Sequence, residues 1–295
     1  MLPFVNYGEL CVNLGHKDMT ATLNQVAPAL NQLDLDQPRQ EHFFGLPSSV
    51  TQWLTTNILK RKGEQNISIL LVMINIVLTS LPMAIGLYLL EGIVPIPVLC
   101  ILGAGYFYFH FSTYARSFIL GLHYSTHRPI FNRKWNFLNS FNSNFLCLFF
   151  GLPPGVYYSH HIAMHHCENN TTPLDISSTM PYQRNSKWQH FTYMLRFVVA
   201  IWFELPYVLF RKKLYNLVWR CIIGEVLFFI ALAYLMTQHP VPTFFVFGLP
   251  WGVISFAMMQ GNWKQHIFVD PDDPDNNYKS TFTCINTPTN SRNFN

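Results

Sequence analysis

The chain has 295 residues, half of them hydrophobic and only 12% charged. A soluble globular protein carries about 25% charged residues, so the composition argues against a water-covered surface and for a membrane protein. The formal charge of +4 is modest and scattered, which suits lipid headgroups rather than nucleic acid.

The first 41 residues are polar and loop-like, with "LDLDQPRQE" at 33–41 reading as exposed. No signal peptide is expected, because Lys17 interrupts the early apolar residues and no long apolar core follows. Four later stretches are apolar enough to span: roughly 66–90, 94–121, 217–237 and 241–260. A helix needs about 20 residues to cross a hydrocarbon core of about 30 Å. "EGIVP" joins the first pair and "QHP" the second, so each pair reads as a helical hairpin.

Lysine and arginine set the orientation. Neither tight turn contains one, whereas Lys60, Arg61 and Lys62 precede the first span and nine lie in the 122–216 connection. The positive-inside rule puts both termini and the middle region in the cytoplasm. The stretch 188–210 contains Arg196, Glu204 and Pro206 and runs into the basic residues 211–213. That mixture favours a helix lying in the interface over a fifth span. A fifth span would separate His266 from the earlier histidines. The 137–155 run reads as interfacial or re-entrant. The expected fold is therefore all-α and integral to the membrane: four transmembrane helices in two hairpins, interfacial helices, and a cytoplasmic histidine-rich cap. Residues 42–295 form the membrane domain after the polar segment 1–41.

Six cysteines show no CxxC pair and behave as small hydrophobes. The histidines are more telling. Four of the twelve fall in "HHIAMHH" at 160–166. His123 and His127 ("HYSTH") stand at i and i+4, as do His161 and His165, with His166 adjacent and His160 preceding. That spacing puts two imidazoles on one helical face, which suits a shared metal. Asn262 and His266 ("NWKQH") repeat it after the fourth span. His110, inside the second span, reads as a packing or hydrogen-bonding residue. His16, His42, His190 and His239 read as surface or interfacial.

HExxH is absent, which removes zinc-peptidase chemistry. Imidazole suits zinc, copper, iron and nickel alike. Five or more histidines without a cysteine pair suit two ions with open positions, and a dinuclear iron centre is the economical reading. Asn262 would contribute through a bridging water, and Glu168 and Asp175 would orient ligand N–H groups.

"HYSTH", "HHIAMHH" and "NWKQH", set against two hydrophobic hairpins, resemble the membrane fatty acid desaturase family over roughly residues 66–295. The Asn262/His266 pair matches the NxxxH of that family's acyl-CoA branch. The resemblance implies His123, His127, His161, His165, His166, His266 and Asn262 as metal-site residues. It implies two non-haem iron ions, dioxygen and external electrons as co-substrates, and a lipid or acyl-CoA substrate. A double bond forms in a fatty acyl chain; hydroxylation or ketolation on the same scaffold is the alternative, as is an inactive paralogue. The electron donor would be of cytochrome b5 type in the endoplasmic reticulum, or a ferredoxin in a plastid. Arg128, Arg133, Lys134, Arg211, Lys212 and Lys213 would receive an acidic donor, or serve only as flanking charge. The family's third histidine box has no counterpart here, because no histidine follows His266. A C-terminally incomplete chain is the expectation drawn from that departure.

Overall fold

Apolar runs too long for a soluble core dictate long helices, and a computed structural model of the chain contains them. It describes residues 45–60, 64–168, 170 and 174–266; the expectations for 1–41, His16, His42 and the tail after His266 fall outside that set. The described residues are largely helical, with two isolated bridges, Leu59 to Phe131 and Glu91 to Val94.

A short helix, α1 (Ser48–Asn57), precedes the first long one. Two long helices follow, α2 (Asn66–Leu90) and α3 (Ile96–His127). After α4 (Asn139–Asn144), the histidine-bearing α5 begins at Val156–His160 and continues through His161–His165 to His166–Glu168. Then come α6 (Lys187–Arg211), α7 (Tyr215–Gln238) and α8 (Pro240–Gln265). Prolines open α3 and α8 (Pro97, Pro240), where a missing N–H costs nothing. Ser186 caps α6 by accepting from the Gln189 N–H.

Five of these helices, α2, α3, α6, α7 and α8, are long and apolar enough to cross a membrane. Sequence reading assigned four, and the addition is α6. Its charges interrupt the apolar run without outweighing it, because Arg196 and Glu204 neutralise one another at 2.8 Å across two helical turns. One stripe of α6 is buried (Tyr193, Phe197, Ile201, Leu205, Leu209) and the opposite stripe is exposed (Trp188, Leu195, Val199, Phe203, Tyr207). Both stripes are apolar, as a helix between protein and lipid requires.

The two hairpin turns meet. His239, between α7 and α8, bonds Glu91 at 2.7 Å, and Tyr88 bonds Thr243 at 3.0 Å. At the other end of the bundle α6 closes on the histidine-bearing loop from both of its ends. The Tyr193 hydroxyl donates to the Ser177 carbonyl, while Lys212 bonds the Ala163 carbonyl and Glu168. His110 is fully buried: Nε2–H donates to the Phe149 carbonyl and Nδ1 accepts from Ser80. It is a packing residue, as its place in the span suggests.

The 137–155 run, read as interfacial or re-entrant, consists of short pieces: α4, a 3-10 helix at Leu146–Phe150, and the turn that follows it at Gly151. Gly151 has φ +70, and a Cβ there would overlap the Trp251 backbone. Gly151→Ala is therefore expected to destabilise the protein by more than the ~1–2 kcal/mol of left-handed backbone alone. Gly86→Ala, a helical position with nothing nearby, is expected to be neutral or slightly stabilising. Thermal unfolding of the two variants in detergent checks the difference; equal midpoints would contradict it.

Candidate metal centre

The end of α3 is a regular α-helix, so His123 and His127 share a face, with ring centroids 5.0 Å apart. The 161–166 segment follows another rule. Its turn is π-helical, and the His166 N–H bonds the His161 carbonyl five residues back. A π-turn puts i and i+5 on one face instead of i and i+4. His166 consequently stands over His161, with Nε2 atoms 3.0 Å apart.

The His127 Nε2 lies 3.2 Å from the His161 Nε2, and the His123 and His161 rings are 4.3 Å apart. His123, His127, His161 and His166 each offer a ring nitrogen, and these four atoms all lie within 4.8 Å of one another. Four nitrogens held about 2.1 Å from one tetrahedral ion would be roughly 3.4 Å apart. The observed separations are close enough for small side-chain shifts to receive an ion, so the donor set fits one metal.

His165 is turned out of this group. Its Nδ1–H donates to Asp175 at 2.7 Å, and its ring lies 4.9 Å from that of His266. This fixes the tautomer and leaves Nε2 as the acceptor, the arrangement of a metal-ligating imidazole with a carboxylate behind it. His165 and His266 form a second pair beside the first group, since the His165 and His166 rings are 5.7 Å apart. His160 is buried and stacks parallel to His165 at 6.1 Å.

Sequence reading paired His161 with His165; the backbone pairs His161 with His166 instead. The adjacent doublet 165–166 carried the signal, because two neighbouring imidazoles cannot share one face. Asn262 is not turned to the imidazoles through its amide nitrogen, which donates to the Ser177 carbonyl at 2.9 Å and to the Tyr193 hydroxyl at 2.6 Å. Of the two carboxylates expected behind ligands, Asp175 bonds a histidine, whereas Glu168 is ion-paired with Lys212.

Sequence reading missed the frame that holds Asp175. Ser177 donates to its Oδ1 from both N–H (2.8 Å) and hydroxyl (2.6 Å), and the Asn170 N–H donates to Oδ2. Thr179 donates to the His266 carbonyl at 2.8 Å, tying the end of α8 to the same loop. The "DISST" run at 175–179 was the available sign, being rich in side chains that satisfy backbone groups locally.

The electrostatics keep His160, His161 and His166 neutral. Burial first, then the neighbouring imidazoles, push His160 down to about 3 and His166 to about 4, and drive His161 lower still. Burial opposes charge on Asp175, yet the bonds from His165 and Ser177 hold its carboxyl below the ordinary value. The unprotonated lone pairs are therefore available to a cation at neutral pH.

A family model described as fatty acid desaturase matches residues 94–294, two thirds of the chain. The chain belongs to the fatty acid desaturase family. Comparison with curated proteins and with solved structures finds no match. Family membership brings a membrane setting, a lipid substrate and an oxidoreductase character, and its iron dependence agrees with the histidine group.

Two outcomes test the site. Asp175→Asn is expected to weaken metal binding by about 10–100-fold, measured by equilibrium titration with Co(II). The metal-free protein is expected to lose stability as the pH falls from about 6.5 toward about 4, with a plateau above. The sign follows because the unfolded histidines take up protons that the folded site refuses. A thermal midpoint in detergent that rises on acidification would contradict this account.

Proposed function

We propose that the protein is an iron-dependent lipid desaturase that introduces a double bond into a fatty acyl chain. The observation that carries the proposal is the four-histidine group contributed by α3 and α5, in a chain of this family. His123, His127, His161 and His166 would hold one iron. His165 and His266 would begin the site of a second, with Asp175 orienting His165 and Asn262 anchoring the loop rather than meeting the metal. Iron bound there supplies the dioxygen-dependent removal of hydrogen from an unactivated C–H bond, with electrons from an external carrier of cytochrome b5 or ferredoxin type.

The chain's own task is to orient the imidazoles and keep water out. Tyr157 stacks on His161 at 5.3 Å, and Leu122 and Met164, next in sequence to His123 and His165, are fully buried. Exposed Arg128, Arg133 and Lys134, close to the end of α3, offer positive charge to an acidic electron carrier.

We further propose four spans, with α6 lying across the histidine-bearing end. Parity supports this. If α6 crossed, α7 and α8 would return His266 to the membrane face opposite His127, yet His266 sits against His165. The contacts of both α6 ends with the same loop agree. Both termini would then be cytoplasmic, and the endoplasmic reticulum is the compartment we favour.

Expression in a desaturase-deficient host tests the reaction. A new double bond in the cellular acyl chains is expected, lost in His161→Ala together with iron, while membrane insertion is retained. A hydroxylated product instead would assign the chain to the hydroxylase chemistry of the same scaffold, and fewer than about one iron per purified chain would remove the metal assignment. Glycosylation-site scanning is expected to tag the turns at 91–93 and 238–240 and to leave 160–170 and 212–214 untouched; a tag at 212–214 would make α6 a span.

A further inference from the structure

A cavity of about 560 Å³ lies away from the histidines, along one face of α7. Its α7 wall runs from Arg220 through Ile223, Leu227 and Ala231 to Leu235, spacings of three and four that belong to one helical face. Fifteen residues at 1.5 Å rise make this wall about 22 Å long, most of the ~30 Å hydrocarbon thickness. Leu148 and Phe247 form the opposite side. Ile223, Leu227 and Ala231 are exposed, so the groove opens sideways onto the surface that faces lipid.

One end of the groove is different. Gly224 brings α7 against the Pro154 carbonyl so closely that a Cβ would overlap it, and this contact closes the end at which Arg220 and Asn144 stand. Arg220 is exposed and makes no ion pair among the described residues. No carboxylate lines the groove, and Glu225, the only acidic residue of α7, is outside its wall. Exposed Tyr215 and Trp219 flank Arg220, a pairing of aromatic rings and cation found where a helix meets the headgroup layer. An apolar slot of this length, ending at a guanidinium without an ion pair among the described residues, has the complement of an acyl chain joined to an anionic head.

We propose that this groove binds one acyl chain of a net-anionic membrane lipid with a phosphate monoester head, with Arg220 on the phosphate. Guanidinium recognises phosphate through paired N–H donors, and the stem of Arg220 can lie along the apolar wall while its head stays in the interface. The site is separate from the imidazoles, so it stands or falls independently of the iron chemistry.

The test is native mass spectrometry of the full chain, purified in detergent and supplied with dioleoyl phosphatidic acid or with phosphatidylcholine of the same acyl chains. The expected result is a retained phosphatidic acid adduct in preference to phosphatidylcholine. Arg220→Gln should lower its retention about tenfold or more, the cost of a lost charge-assisted hydrogen bond. Ala231→Trp and, separately, Leu227→Trp should fill the slot and remove both lipids, with an unchanged thermal midpoint in detergent as the control for folding. Excess inorganic phosphate should leave the adduct in place. Equal retention of the two lipids, an Arg220→Gln protein that behaves as wild type, displacement by phosphate alone, or full retention in both tryptophan variants would each overturn the proposal.

Discussion

The hydrogen bond from the His166 N–H to the carbonyl of His161, five residues back, organises the histidine end of this protein. It rotates the backbone so that His166, rather than His165, faces His161 and the pair on α3. The same rotation frees His165 to turn toward Asp175 and His266. One irregular turn thus divides the histidines of a single short segment between two neighbouring groups. An α-helical turn would direct His165 at the first group and leave His166 pointing elsewhere. Single-turn π segments are rare, and are concentrated at functional sites because they re-aim side chains in this way.

Such a turn needs support from outside itself, and the 170–179 loop supplies it. Asp175 accepts from His165, Ser177 and Asn170, while Thr179 reaches the carbonyl of His266. Tyr193 and Asn262 join α6 and α8 to the Ser177 carbonyl. The network satisfies buried polar groups that would otherwise cost about 1–3 kcal/mol each, and it fixes the positions from which His165 and His266 face one another. Polar satisfaction and histidine placement are here the same set of bonds.

The remainder of the molecule carries these histidines in an apolar surrounding. Three buried clusters pack α2 with α3, α5 with α6 and α8, and the two hairpin turns with each other. The His239–Glu91 and Tyr88–Thr243 bonds hold the far end together. The α7 groove arises from the same packing, because Gly224 admits Pro154 at one level while the small Ala231 leaves space at another.

Much was legible in the sequence. The apolar runs determined the long helices, because backbone polar groups in lipid must bond within their own segment. The spacing of His123 and His127 determined their shared face, because an α-helix has a fixed period. The density of histidines marked the chemistry. The tertiary structure alone decided three matters. It decided which residue of the 165–166 doublet joins His161, since a π-turn depends on the packing around it and has no composition of its own. It decided that Asn262 anchors a loop, since an amide takes whatever partner the fold brings near. It decided which partners α6 meets, since Tyr193 and Lys212 reach the Ser177 and Ala163 carbonyls of a loop that the sequence of α6 does not name.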